Sequence, residues 1–150
     1  MHNKQGEKIE SIDLILKSVW LAVSKMYSEK ASKHGSTAVQ ALTLLKIDPK
    51  KGTRSTNLGP KMSIEPTSLT RIIKLLEDKG YIYKEKSTKD KREVIIKLTE
   101  KGLHSRDLSK DVVLTFNRKV VETVPPKKLE IFNEVMSNIL EIANNLNPNK

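Results

Sequence analysis

Thr67, Ser68, Thr70 and Arg71 place three hydroxyls and one guanidinium within five residues. Short donors and acceptors beside a fork-shaped cation suit the edges of base pairs, which present donors and acceptors at fixed depth in the major groove. Arg71 could equally hold a phosphate. Pro66 opens the same stretch and is grouped with these residues. A second chemical feature is the run Lys84-Glu-Lys-Ser-Thr-Lys-Asp-Lys-Arg92. Arg92, at its end, suits the narrow minor groove, where the negative potential is strongest. Asp90 can hold the Arg92 guanidinium or brace the turn that carries it, through a charge-assisted bond. Lys84, Lys86, Lys89 and Lys91 add diffuse phosphate attraction. Arg54, Ser55 and Lys61 are candidates for contacts to a nucleic-acid backbone.

These residues need a helix and a hairpin to position them. The helix is expected from Ile64 to about Lys79, with Ser63 as cap, Pro66 in the first turn and Gly80 as the stop. Leu69, Ile72, Ile73 and Leu76 recur at helical spacing and define one buried face. Tyr81–Tyr83 and Glu93–Leu98 suit strands, with the basic run as the hairpin tip between them. Ser55 to Met62 reads as the preceding short helix, bent or ended early by Gly59-Pro60. A helix pair followed by a charged hairpin is a winged helix-turn-helix, expected over residues 36–98.

In order and spacing, Pro66-Thr-Ser-Leu-Thr-Arg71, Leu76-Glu-Asp-Lys-Gly80, Asp90-Lys-Arg92 and Leu98-Thr-Glu-Lys-Gly102 resemble the MarR family of bacterial transcription regulators. The resemblance implies a sequence-specific regulator of double-stranded DNA, a repressor acting as a homodimer on a roughly palindromic operator. It also implies release by a small effector held between the helical base and the DNA-binding lobe. That effector would be a small lipophilic anion such as a phenolic or aromatic carboxylate, or an acyl thioester; a chain with no effector is the third reading. Trp20 and Tyr27 are candidate effector-lining residues, or ordinary packing residues. Some MarR-like proteins sense oxidants through cysteine, and this chain has none.

The flanking sequence supplies long helices. One is expected from Lys8 to Lys33 behind a frayed 1–7, with Ile9, Ile12, Leu16, Val19, Val23 and Tyr27 in one stripe and Leu14, Ile15, Leu21 and Ala22 widening it. A helix apolar on more than one side has more than one neighbour. His34-Gly35 ends it. Ser36 is expected to cap the next helix, whose inward face is Val39, Ala41, Leu42 and Leu45, and Asp48–Gly52 reads as a turn. Beyond the wing, Thr99 can cap a helix that Gly102 weakens in its first turn. Pro125-Pro126 separates it from a last helix with a coiled-coil-like seam through Leu129, Phe132, Met136, Ile139, Ala143 and Leu146. Residues 8–33 and 103–146 are read as dimerisation helices of a single MarR-like domain, mainly α with a small β wing.

Composition agrees with a binding protein. The 150 residues carry a formal net charge of +10 and are 4% aromatic. Between Lys51 and Lys101 stand 13 Lys or Arg against 7 Asp or Glu, so a third of the chain holds more than half of the net charge. Clustered positive charge attracts a polyanion, with counterion release contributing to affinity. The polar N-terminus and the lack of a long apolar run point to a cytoplasmic protein outside the membrane. His2, His34 and His104 form no ligand cluster of the spacing zinc needs, so neither metal nor cofactor is expected. No phosphate loop, nucleophile elbow or paired catalytic carboxylates argue for an enzyme. The remaining rival is a winged helix that contacts protein, which would have little use for a polar helix tip and a cationic wing.

Overall fold

A computed structural model describes residues 11–147. The expected fraying of 1–7, the helix start at Lys8 and Ile9, and His2 lie outside the described residues. The elements are α1 (Ile12–Ser32), α2 (Ala38–Lys46), β1 (Thr53–Arg54), α3 (Ser55–Met62), α4 (Pro66–Asp78), β2 (Ile82–Lys86), β3 (Val94–Leu98), α5 (Glu100–Thr123) and α6 (Pro126–Leu146). The fold is mainly helical, with one antiparallel sheet of order β1-β3-β2. It is a winged helix-turn-helix flanked by long helices, and it divides into two compact units, residues 1–112 and 113–150.

The core of the first unit gathers around one face of α4. Leu69, Ile73 and Leu76 are buried with Leu44 of α2, Leu58 of α3, Ile82 of β2 and Ile96 of β3, and Ile47 joins them. Ile64 and Ile72 pack against this cluster. Burial of each such side chain is worth roughly 1.5–3 kcal/mol relative to exposure, so the cluster fixes how α2, α3, α4 and the sheet lie together. In β2 and β3 the register pairs Ile82 with Leu98 and Lys84 with Ile96. Ile82, Ile96 and Leu98 therefore face the core, while Tyr83, Glu85, Ile95 and Lys97 face outward.

Several local expectations change. Ser63 does not cap α4; it ends α3 in the left-handed conformation, φ 52°, and Glu65 and Pro66 start α4. The helix also does not end early at Gly59-Pro60. It continues to Met62, because Pro60 loses only one bond in a short helix and the chain closes with Ile64 N–H donating to the Gly59 carbonyl at 3.1 Å. The cap of α2 is Thr37 rather than Ser36, its hydroxyl accepting from Gln40 N–H at 3.2 Å. The inward face of α2 is Gln40, Thr43 and Leu44, while Val39 is 42% exposed. β2 begins at Ile82 and runs to Lys86, three residues into the basic run, so the wing tip is shorter than the sequence suggests. β1 was not foreseen; two residues carry too little pattern to announce a strand, and its pairing of Thr53 with Ile96 is a tertiary event.

Other turns follow their chemistry. Asp48 Oδ1 accepts from Lys50 N–H and Lys51 N–H, both at 2.8 Å, and Gly52 N–H donates to the Asp48 carbonyl at 3.0 Å. Those bonds, Lys51 first, hold the Asp48 carboxyl below its ordinary value of 3.8. Gly52, at φ +75°, lies against the Ile96 carbonyl and the Ile95 and Lys97 side chains, where a Cβ has no room. Thr99 caps α5 as expected, its hydroxyl accepting from Gly102 N–H at 3.1 Å. Gly102 serves another purpose than weakening the turn. A Cβ there would stand 1.9 Å from the Tyr81 carbonyl oxygen, so glycine lets α5 dock on the chain entering β2.

In the second unit, α5 ends at Thr123 and α6 begins at Pro126 behind the Pro125-Pro126 break. None of the 21 residues of α6 is buried. Among the described residues, no helix is long and apolar enough to cross a membrane.

Two outcomes test these packing arguments. Gly102→Ala forces backbone apart and should cost about 3 kcal/mol, lowering the melting temperature by roughly 6–12 °C; Gly35→Ala, which meets open space, should cost about 1 kcal/mol. Thermal unfolding checks both. For Asp48, a depressed folded pKa means that its stabilisation is complete well above pH 3.8 and fades as pH falls through the lower folded value. The melting-temperature gap between the wild type and Asp48→Ala should therefore be full at pH 7 and close in strong acid.

Candidate nucleic-acid interface

α4 separates its chemistry by face. Leu69, Ile73 and Leu76 turn inward, which leaves Pro66, Thr67, Ser68, Thr70 and Arg71 exposed in its first two turns. The N-terminal end of a helix carries unpaired N–H groups and positive dipole, so it favours a phosphate or an acceptor-rich base edge. The Thr70 hydroxyl donates to the Pro66 carbonyl at 2.9 Å. That proton points to the helix's own backbone, which leaves the Thr70 oxygen as an outward acceptor. Thr67, Ser68 and Arg71 keep their side chains outward.

The wing tip is ordered by its own side chains. The Ser87 hydroxyl accepts from Lys89 N–H at 3.2 Å and Asp90 N–H at 3.4 Å, and Ser87 N–H donates to the Glu93 carbonyl at 3.0 Å. Asp90 was read as either holding the Arg92 guanidinium or bracing the hairpin. Its Oδ1 accepts from the backbone N–H of Arg92 at 2.9 Å, and its carbonyl accepts from Glu93 N–H at 3.0 Å. This is the bracing role. Lys89, Lys91 and Arg92 project from the braced tip and are exposed.

The other candidates divide. Ser55 is half-buried at the start of α3 and shares a hollow of about 650 Å³ with Pro66 and Thr70, floored by Gly59, Leu69 and Ile73. Lys61 is exposed in the last turn of α3. Arg54 is not a free cation: its guanidinium pairs with Glu93 at 2.9 Å, across the β1-β3 ladder. Lys84 is likewise engaged, with Glu77 of α4 at 3.1 Å, which ties the wing to the end of the helix. Lys97 pairs with Glu85 at 2.6 Å, and that hydrogen bond raises the Lys97 pKa.

The sequence reading placed Glu85, Glu93 and Lys97 in the hairpin but not their ion pairs, and it left Lys51 out of the wing. Strand alternation already puts Glu85 and Lys97 on the outer face. Arg54 and Lys51 could not be added without β1. Trp20 lies exposed on α1 at 61%, and Tyr27, seven residues further along the helix, is half-buried, with burial raising its phenol pKa. Neither lines the hollow at the α3-α4 turn. Among the described residues, no group of three His, Cys, Asp or Glu side chains could share a metal ion.

Comparison with known proteins agrees with this geometry. The MarR family model matches residues 36–94, from the start of α2 to the start of β3. SarZ of Staphylococcus haemolyticus, an HTH-type transcriptional regulator, is 28% identical over 90 residues, which are 60% of this chain and 61% of SarZ. The aligned part thus spans less than two thirds of that relative. Among solved structures, a DNA complex of Staphylococcus aureus MepR has a TM-score of 0.80 at 15% identity, covering 89% of this chain and 98% of MepR. CouR of Rhodococcus jostii RHA1, bound to p-coumaroyl-CoA, has a TM-score of 0.75 at 20% identity, covering 87% of this chain and 92% of CouR. At those identities the structural likeness carries the fold. The part of the chain that resembles the MarR family is thus residues 36–94, which hold the helix-turn-helix and most of the wing and leave the long flanking helices outside the match.

Proposed function

We propose that this protein is a sequence-specific, double-stranded DNA-binding transcription regulator of the MarR family. The observation that carries the reading is the exposed tip of α4, presented beside a wing whose tip is braced by Ser87 and Asp90. Thr67, Ser68, Thr70 and Arg71 meet base edges and neighbouring phosphates in the major groove. Arg92, with Lys89 and Lys91, reaches the minor groove and its flanking backbone. Ser55 and Lys61 touch phosphates at the other side of α4. Arg54 reaches the backbone only by leaving Glu93. MepR supports the same mode, since a protein of this fold was solved with DNA.

The regulator works as a homodimer. Support comes from apolar side chains that one chain leaves in water: Ile12, Leu14, Val19 and Leu21 on α1, and Phe132 and Ile142 on α6, are all more than half exposed. A helix such as α6, with no buried residue, gains most of its stability only when another surface covers its apolar stripe. A two-fold dimer presents two equal reading heads, so the operator is a rough palindrome. Occupying it excludes polymerase, which makes repression the simplest output. A small lipophilic anion or an acyl thioester releases the DNA by favouring a different spacing of the heads. CouR, solved with a CoA thioester, supports the thioester class, and Trp20 and Tyr27 are the side chains assigned to line the site. Action on DNA places the protein in the cytoplasm, as a binding protein and not an enzyme.

Fluorescence anisotropy with the protein's own upstream DNA tests the reading. Arg92→Ala should weaken binding by about 1–3 kcal/mol at fixed salt, and an unchanged dissociation constant would remove the wing from the mechanism. Lys89→Ala and Lys91→Ala should instead flatten the salt dependence and leave base preference intact. Sedimentation should give twice the chain mass, and a monomer at the concentration that binds DNA would end the dimer argument.

A further inference from the structure

From Pro49 to Leu76 the chain carries Lys50, Lys51, Arg54, Lys61, Arg71 and Lys74, and Glu65 is the single acidic residue. Glu65 stands immediately before the first turn of α4 and is exposed. A carboxylate at that place repels a nucleic-acid backbone, so attraction to phosphate does not explain it.

Capping does not explain it either. The N-cap position favours Ser, Thr, Asp and Asn, whose short side chains accept from the N–H groups of the first turn. Glu65 holds that position and makes no side-chain cap bond. Its bond to the helix is through its backbone carbonyl, which accepts from Leu69 N–H at 3.0 Å. No hydrogen bond or ion pair among the described residues engages the carboxylate. The positive end of α4 stabilises its negative charge without binding it. Glu65 also lines the hollow at the α3-α4 turn, together with Thr70, whose oxygen is left as an outward acceptor. No Lys or Arg lines that hollow. This part of the tip therefore suits a hydrogen-bond donor and not an anion.

Base edges in the major groove differ in that respect. Cytosine offers an amino donor with no acceptor of its own beside it, and adenine an amino donor next to an acceptor. Guanine presents only acceptors, and thymine an acceptor and a methyl group. An ionised carboxylate can only accept. It gains most with cytosine, gains less with adenine and is repelled by guanine and thymine.

We propose that Glu65 is a specificity-determining residue of the α4 tip. Its carboxylate accepts a hydrogen bond from the 4-amino group of one cytosine in each operator half-site and excludes guanine and thymine there. The role rests on the regulator reading above and adds base choice by a negative charge, which weakens backbone attraction and sharpens discrimination.

The test is fluorescence anisotropy at fixed salt with the full-length protein. Its own upstream duplex is compared with an unrelated duplex and with every single base-pair change across one half-site. The variants are Glu65→Gln and, with the same change in net charge, Glu122→Gln. Glu65→Gln should hold or raise affinity for the unrelated duplex and lower the preference for cytosine over guanine or thymine at one position by about tenfold. Glu122→Gln should leave that preference unchanged. In a second arm, pyrimidin-2-one, which lacks the 4-amino group, replaces each cytosine in turn. At one position the wild type should lose about fivefold or more, and Glu65→Gln nothing further. Base preferences that survive Glu65→Gln while all affinities rise alike overturn the proposal, because the carboxylate then acts only as a charge. A lower melting temperature with all affinities reduced alike also overturns it and makes Glu65 part of the helix start. A wild type that favours its upstream duplex no more than the unrelated one removes the regulator reading and this role with it. Preference shared by the wild type and Glu65→Gln removes the role of Glu65 alone.

Discussion

The burial of one side of α4 is the constraint on which the rest depends. Leu69, Ile73 and Leu76 must leave water, and the surfaces available are Leu44, Ile47, Leu58, Ile82 and Ile96. Once they do, the helix has no rotational freedom left. Thr67, Ser68 and Arg71 face outward as a geometric consequence of a 3.6-residue repeat, not through contacts of their own. The same cluster seats α3 and the sheet, so α4 and the wing that flanks it share one set of apolar contacts. The direction in which the exposed face points is set by groups on the opposite, buried face.

The wing joins this core through two joints. At one, Thr99 donates its hydroxyl to the Gly80 carbonyl at 2.6 Å, and its N–H donates to the Tyr81 carbonyl at 3.1 Å. The absence of a side chain at Gly102 lets α5 come down on the same backbone. Lys101 adds a bond to the Lys79 carbonyl at 2.7 Å while its ammonium lies over the Tyr81 ring. At the other joint, Lys84 reaches back to Glu77. Lys79 extends the network to Gln40 of α2 at 3.1 Å. The last turn of α4 is thus bonded to α2, β2 and α5, while its first turns stand free. A helix anchored at its far end and bare at its tip can present that tip at a set angle without enclosing it.

Charge on the wing is less uniform than a count of lysines suggests. Arg54, Lys84 and Lys97 form ion pairs with carboxylates and Lys51 lies in the field of Asp48, whereas no ion pair among the described residues holds Lys86, Lys89, Lys91 or Arg92. Exposed ion pairs of this kind contribute little to stability, because water screens them. Their larger effect is to sort cations into those that define the shape of the sheet and those left to attract an anion. Asp90 follows the same division: its carboxylate is spent on backbone N–H at the turn, so Arg92 keeps its guanidinium outward.

The local alphabet of the chain was sufficient for much of this. The α4 stripe, the stop at Gly80, the turn at Asp48–Gly52, the Thr99 cap and the strands around the basic run follow from spacing and from single residues with strong backbone preferences, because those forces act within four residues. The motif order carried the resemblance to the MarR family in the same way. What needed the folded chain was anything settled by a partner distant in sequence. β1 exists because β3 accepts it. Ser63 turns left-handed because α3 must end where α4 begins. Gly102 is required because Tyr81 passes beneath it. Arg54 belongs to Glu93 because a third strand brings them together. Short-range preference selects elements, but long-range packing decides which side chains are consumed in holding them and which remain free to bind.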